Sequence, residues 1–210
     1  MSSSSSLSEK HMAAIEELKT KLEAGDDEVV DDNPMNRRYR VTTNGIMEND
    51  GVGTLKFLEN KDWSGSVVGC YAPYKGGCHP PINCYPPILQ VRIPGKFKHQ
   101  GVPPKDLNGS MGAVVYVGPN QHDGPITCGW LLAWHVPGDE NSPNKVYVET
   151  GPSTKYNEKV IDWDFIKARL ENSGNCSYDV DYETRAEAYA TIDPFGNPAQ
   201  LVAIFDVIRT

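Results

Sequence analysis

Gly109-Ser-Met-Gly-Ala-Val-Val-Tyr-Val-Gly-Pro-Asn120, then Cys128-Gly-Trp-Leu-Leu-Ala-Trp134 and Val146-Tyr-Val-Glu-Thr150, is the stretch that decides the fold. Branched and aromatic residues in short runs, bounded by Gly, Pro, Asn and Asp, suit a pleated, buried surface interrupted by tight turns. The stretch predicts three strands of one sheet. Nothing in it has a spacing that dictates a reaction.

Working outward toward the N-terminus, Ile88 to Ile93 and Gly95 to His99 read as further strands, as do Ser66 to Tyr71, Thr54 to Leu58 and Tyr39 to Thr43. Asn44-Gly45 and Asp50-Gly51 are turn signals, because each sets a residue tolerant of positive φ beside a glycine. Between Ala72 and Pro87 the prolines remove ladder donors and restrict their predecessors, which predicts a long stiff loop. Toward the C-terminus, Asp162 is placed as an N-cap. Trp163, Ile166 and Leu170 share one helical face and Gly174 follows, so one short helix is expected. Glu187 to Ile192 reads as a strand, and Leu201 to Ile208 as a buried closing one.

The first residues differ in kind. A serine run is followed by Ser6-Leu-Ser-Glu9, which has the spacing of a capping box. Met12, Ile15, Leu18 and Leu22 then recur at helical spacing, up to a left-handed cap at Gly25. This amphipathic helix is expected to pack on the body of the protein. Asp26 to Asn33 is an acidic linker. The chain therefore divides into residues 1–36, holding serine-rich tail, helix and linker, and a single domain over 37–210. Short turn-bounded strands must cover one another's apolar faces, so the expected architecture is all-β: a sandwich with an N-terminal helix and one short helix after the central strands.

Composition narrows the function. With 19 Gly and 16 Pro the chain is unsuited to a helical bundle. A net charge of -8, with no dense block of Lys and Arg, excludes a nucleic-acid surface. Neither a secretory signal nor a run long enough to span a membrane is evident, so a cytoplasmic protein with reduced thiols is expected. The five cysteines, an odd number, agree with free thiols.

These strands also resemble the plant 23 kDa jasmonate-induced protein family. The shared pattern runs through Asn49, Thr54, Phe57, Asp62-Trp63-x-Gly65, Gly95-x-Phe97-x-His99 and Gly109-Ser110. It continues through Ala113-Val-Val-Tyr116, Gly118, Asn120, Gly124, Cys128-x-Trp130-x-Leu132-Ala-Trp134, Tyr147, Glu149 and Trp163. It covers roughly residues 49 to 173. The loop around Cys78 is longer than in that family, and the first 36 residues match nothing in it. The resemblance implies a jasmonate- or stress-induced, defence-associated role and brings no established reaction.

Candidate site residues follow from chemistry. Asp62 beside Trp63 suits a sugar platform, in which a carboxylate accepts from hydroxyls while a ring stacks; Tyr71, Tyr74 and Tyr85 are further loop aromatics able to stack on a ligand. His99 and His135 are the histidines that an acid or base mechanism would use, with a nearby carboxylate. Cys78, His79 and Cys84 offer soft and imidazole ligands, but not at the spacing of a zinc knuckle, so no metal is expected. Cys128 reads as a buried core thiol. A nucleophile elbow, a phosphate-cradling glycine loop and a dinucleotide fingerprint are all missing, and no cofactor is expected. The leading expectation is a non-enzymatic module binding a glycan or small ligand through the sandwich loops. Two alternatives stay open: a membrane-active, lipid-binding defence protein, and an enzyme using one of the two histidines.

Overall fold

The computed structural model describes residues 9–24, 40–68, 85–101, 109–139, 141–157 and 159–208. Ser6, Gly25, the acidic linker, Cys70, Tyr71, Tyr74, Cys78, His79 and Cys84 lie outside the described residues. Helix α1 (Glu9–Glu23) precedes strands β1 (Val41–Asn49), β2 (Leu55–Ser64), β3 (Ser66–Val67), β4 (Ile88–Leu89) and β5 (Gly95–Gly101). The central strands β6 (Ser110–Gly118), β7 (Cys128–Val136) and β8 (Lys145–Pro152) follow. A 3-10 turn (Ser153–Tyr156), helix α2 (Trp163–Glu171) and strands β9 (Cys176–Asp181), β10 (Ala186–Ile192) and β11 (Ala199–Val207) complete the chain.

Two sheets face each other. The first has the order β3-β5-β1-β11-β10-β9 and the second β4-β2-β6-β7-β8. The three expected central strands are indeed antiparallel neighbours in one sheet. Their inward residues, among them Val114, Tyr116, Trp130, Leu132, Trp134 and Val148, meet Phe97, Leu201, Ala203 and Phe205 of the other sheet in the main core. Their outward residues Met111, Ala113, Val115, Leu131 and Ala133 are buried as well, under Tyr156 of the 3-10 turn and Ile166 and Leu170 of α2. Strands covered on both faces read as continuous apolar runs, which is why this stretch shows no alternation. Asp162 caps α2 by accepting from the Phe165 N–H at 2.9 Å.

The outer face of the first sheet is covered by α1. Ile15, Leu18 and Leu22 pack on Ile46, Tyr189, Val202 and Ile204. Three buried aliphatic side chains contribute on the order of 6 kcal/mol as an upper estimate. Met12, at the start of the same stripe, is 48% exposed.

Several expectations change. Asn44-Gly45 is no turn; it lies inside β1, which runs on to Asn49. Gly45 faces Phe97 across the ladder, and a Cβ there would come within 2.1 Å of the Phe97 ring. The turn is at Asp50-Gly51, where the Asn49 side chain donates to Gly53 O and Leu89 O and accepts from the Gly51 N–H. The strand expected from Ile88 to Ile93 stops at Leu89, and Arg92 turns the chain at φ 60°. Of the strand expected from Ser66 to Tyr71, β3 spans Ser66–Val67, and Cys70 and Tyr71 are outside the described residues. Strand β9 was not anticipated. Its polar residues bond across to the other sheet, where Ser177 Oγ accepts from the Val148 N–H and Asp179 accepts from the Thr150 N–H at 2.7 Å. Side chains of one sheet thus satisfy the free edge of the other.

The Gly45–Phe97 contact is testable. Gly45→Ala is expected to destabilise the protein by about 1–3 kcal/mol, the cost of overpacking a filled core. Urea unfolding measures it, and an unchanged midpoint would mean that the ring moves aside freely.

Candidate functional site

At one end of the sandwich the inward positions turn from apolar to polar. On β5 the inward residues are Phe97, His99 and Gly101, with His99 wholly buried and opposite Thr43 of β1. Ser110 opens β6 on the same side. Its Oγ lies 2.8 Å from His99 Nδ1 and 2.7 Å from Thr43 Oγ1, and it also donates to His99 O at 3.3 Å. From β2, Asp62 sits opposite Gly112 of β6 and brings its Oδ1 to 3.4 Å from His99 Nε2, an ion pair whenever the imidazole is protonated. The Tyr85 hydroxyl donates to the same Oδ1 at 3.3 Å. A row of polar groups therefore crosses the apolar interior: Thr43, Ser110 and His99 joined by hydrogen bonds, then Asp62 in 3.4 Å contact with His99 and hydrogen-bonded to Tyr85.

Glycines make the room. A Cβ on Gly112 would lie 2.9 Å from Trp134 Cζ2 and 3.3 Å from His99 Nε2. Gly65 has φ 91°, and a Cβ there would come within 2.8 Å of the His99 ring and 2.6 Å of Gln100 O. Trp134 stands edge-on to His99, with centroids 5.2 Å apart. The motifs that carried the family resemblance, Asp62-Trp63-x-Gly65, Gly95-x-Phe97-x-His99 and Gly109-Ser110, thus converge around one imidazole.

Serine, histidine and aspartate in a row invite comparison with a hydrolytic triad, but the arrangement differs. Ser110 is completely buried and its oxygen is engaged by both Thr43 and His99, so no substrate carbonyl can approach it. The carboxyl member of the row is Asp62, whose side chain is 22% exposed. Buried hydroxyls and imidazole hold that carboxylate from behind; outward, it can accept from a ligand.

Other sequence-named residues fall elsewhere. Successive strand residues point to opposite faces, so Trp63 leaves Asp62 and joins the outer cluster, where its ring meets Trp163 edge-on at 6.2 Å. A joint Asp62–Trp63 platform does not form, because β2 continues as a strand through both residues. Tyr85 lies in the bend before β4, as a loop aromatic, but it is turned inward: it is 5% exposed and packs among Phe57, Phe97 and Trp134. His135 lies on β7 beside Trp134 and is half-buried, facing away from His99. Among the described residues no group of three His, Cys, Asp or Glu gathers as a metal site. Ser110, Thr43 and Trp134 are the site residues that were not singled out. The available signal was a polar residue at an inward position of an apolar strand.

Elsewhere a buried carboxylate, Glu149, accepts from the Tyr147 and Tyr156 hydroxyls at 2.9 and 3.4 Å and pairs with Lys155 at 2.9 Å. Burial, then the neighbouring Glu149 charge, raises both phenols far above the ordinary tyrosine value of 10.0. Burial alone does so for Tyr116, and burial with the Asp62 charge does so for Tyr85. Burial likewise pushes the Cys128 thiol above 9.0, partly offset by hydrogen bonds with Thr127 and Thr184.

Fold and geometry together define a two-sheet sandwich clasped by two helices, with a row of buried polar groups reaching one partly exposed carboxylate at the sandwich end. The lipid binding protein Nakanori is similar in fold, with a TM-score of 0.61 and 16% identity over 94% of this chain and 80% of that one. A Xerocomus chrysenteron lectin gives a TM-score of 0.49 at 11% identity, over 79% of this chain and 99% of that one. No family model matches the sequence. A jasmonate-induced protein homolog of Atriplex canescens is 37% identical over 154 residues, 72% of each chain. The chain belongs to the jasmonate-induced protein family.

The raised phenols set an alkaline limit. In the unfolded chain tyrosines ionise near 10, whereas Tyr85, Tyr116, Tyr147 and Tyr156 stay protonated when folded. Above that pH the unfolded state binds fewer protons, so stability that is full below pH 10 falls as pH rises. Melting temperatures measured between pH 8 and pH 11.5 should decline from about pH 10. A flat profile would mean that the phenols are not buried as described.

Proposed function

We propose that the protein acts as a jasmonate- and stress-induced, defence-associated binding module without enzymatic activity, taking a hydroxyl-rich ligand, a glycan or a small polyol, at the Asp62 end of the sandwich. The observation that carries this reading is the Asp62 carboxylate itself: partly exposed, held by the Tyr85 hydroxyl with His99 Nε2 at 3.4 Å, and backed by a serine too enclosed to attack anything. A carboxylate held in this way accepts hydrogen bonds from sugar hydroxyls, and charge-assisted bonds are the stronger kind. Such a site needs no loop aromatic.

A second reading, lipid recognition, is supported by the likeness of the fold to Nakanori, a protein whose name states lipid binding. In that case the contact is with a head group. Insertion of α1 is disfavoured, since Ile15, Leu18 and Leu22 are already packed on the first sheet, and the helix's polar face mixes Glu16, Glu17, Lys19, Lys21 and Glu23 instead of being basic.

Thermal shift against a panel of methyl glycosides, oligosaccharides and myo-inositol tests the main reading, because a ligand that prefers the native state raises the melting temperature. A rise is expected with the wild type. Asp62→Asn keeps an oxygen for the Tyr85 hydroxyl but removes the charge, and should weaken binding by about tenfold or more. Equal shifts for both proteins would place the ligand elsewhere.

A further inference from the structure

Away from the Asp62 end, a cleft of about 350 Å³ opens between α1 and the outer face of the first sheet. Its size lies within the range that ligand sites occupy, roughly 300–1,000 Å³. Helix α1 supplies Ala14, Glu17 and Lys21, which succeed one another at helical spacing along one flank. From β1 comes Glu48, two residues beyond the Ile46 that packs under α1 on the same outer face, and beside Ile204 of β11 across the parallel ladder. The turn after β1 adds Asp50. The turn between β4 and β5 adds Arg92, held at φ 60° with its backbone N–H donating to Asn49 O at 2.8 Å. An arginine in the left-handed region is uncommon, and such residues gather at functional sites.

The charges lining this cleft are paired off, with one exception. Lys21 Nζ lies 2.7 Å from Glu17 Oε1, and Arg92 Nε lies 3.3 Å from Asp50 Oδ1. Glu48, half-buried between them, makes no hydrogen bond or ion pair among the described residues. Burial raises its carboxyl above the ordinary 4.5; the Lys21 and Arg92 charges work against burial, and those of Asp50 and Glu17 add to it. A carboxylate drawn out of water without a partner is costly, and a bound cation offsets that cost. Three carboxylates stand against two cations, so the cleft is negative by one charge. A calcium or zinc ion needs several ligands at once, and among the described residues no group of three His, Cys, Asp or Glu gathers to hold one. An organic ammonium needs only one carboxylate, to which it donates charge-assisted hydrogen bonds. Its carbon body then lies on Ala14 and Ile204. Lys21 and Arg92 flank Glu48, so a second positive charge on the ligand is disfavoured. The contact with Asp50 uses Nε of Arg92, which leaves the Nη groups able to donate to a ligand carboxylate.

We infer that the cleft beside α1 binds a small organic ammonium compound with no second positive charge, its ammonium group on Glu48 and its apolar body against Ala14 and Ile204. The ammonium belongs to a simple amine or to the amino end of an amino acid, whose carboxylate then meets Arg92. The site is distinct from the Asp62 end and does not rest on the binding role proposed there.

The test is calorimetric titration of the full chain at neutral pH and low salt, joined to NMR of the protein labelled with 13C-methyl alanine, in which Ala14→Ser assigns one resonance. Butylamine and norvaline form the two ammonium arms; butanol, butyrate, putrescine and calcium chloride are the contrasts. At least one ammonium compound is expected to bind, to shift the Ala14 methyl, and to lose affinity as salt is added. Glu48→Gln keeps the size of the side chain and removes its charge, and should weaken that binding about tenfold or more. The unmodified protein reports the contact at Ala14, so the result does not depend on a variant folding. Butylamine binding at least as tightly as norvaline assigns the site to simple amines, and norvaline binding more tightly assigns it to amino acids; both support the inference. Binding of butanol or butyrate as tight as that of butylamine, equal affinity in Glu48→Gln, or binding that leaves the Ala14 methyl still overturns it. Tighter binding of putrescine or calcium than of either ammonium compound also overturns it. So does silence in both ammonium arms up to about 100 mM.

Discussion

The interaction on which the rest of the structure depends is the reach of Trp130 from β7 across the interior to the backbones of β10 and β11. Its indole N–H ends on two carbonyls of the opposite sheet, which fixes how far apart the sheets stand at that level. Facing sheets settle about 10 Å apart when their side chains interdigitate. With that spacing set, the inward residues of β5, β6 and β7 have little freedom over what they meet. Tyr116, four residues from Gly112 on β6, fills its level and donates its hydroxyl to Pro86 O. Nearer the other end a glycine replaces the bulky side chain, and the gap goes to an imidazole. The polar chain through His99 is thus a local exception within an otherwise filled interior, bounded by the same tryptophan-rich strand.

The helices serve a related need. A sheet whose two faces are both apolar cannot leave one of them in water, and here each sheet has a helix on its outer face. Helix α1 rests on β1 and β11, and α2 with the preceding 3-10 turn rests on β6 and β7. That leaves the two ends of the sandwich as places where ligands can be met without uncovering core. Asp62 lies at one of them. The buried Glu149 cluster, by contrast, is closed on itself: two phenols and one lysine occupy the carboxylate, and it ties the 3-10 turn to β8.

Much of this was legible in the residues, and the failures have physical reasons. Strands β6 to β8, β11 and α2 announce themselves because burial on both faces demands unbroken apolar runs and because Asp162 is a local cap. Asn44-Gly45 misleads because its glycine answers to Phe97 on a neighbouring strand, a partner the local sequence does not contain. Strand β9 escapes because its Ser177 and Asp179 serve the edge of the other sheet and so look like solvated loop. In the site, Asp62 and His99 could be named from their chemistry, but their meeting is tertiary. Trp63 was drawn to Asp62 by adjacency, whereas a strand sends neighbours to opposite faces. Ser110 and Trp134 carry no local mark of their roles; only the register of β6 against β2 and β7 assembles them.

The pairing of β1 with β11 has a consequence for how the protein comes into being. These two strands lie side by side, in parallel, in the middle of the first sheet, yet they come from opposite ends of the described chain. While the chain is being synthesised, β2, β6, β7 and β8 can zip together in order, but β1 must wait on one side for almost everything else to emerge. Such a fold is dominated by contacts distant in sequence and is correspondingly slow. During that wait the inner face of the central strands, with its two tryptophans, is open to any apolar surface nearby. The newborn chain therefore carries exposed apolar surface until its last strand arrives.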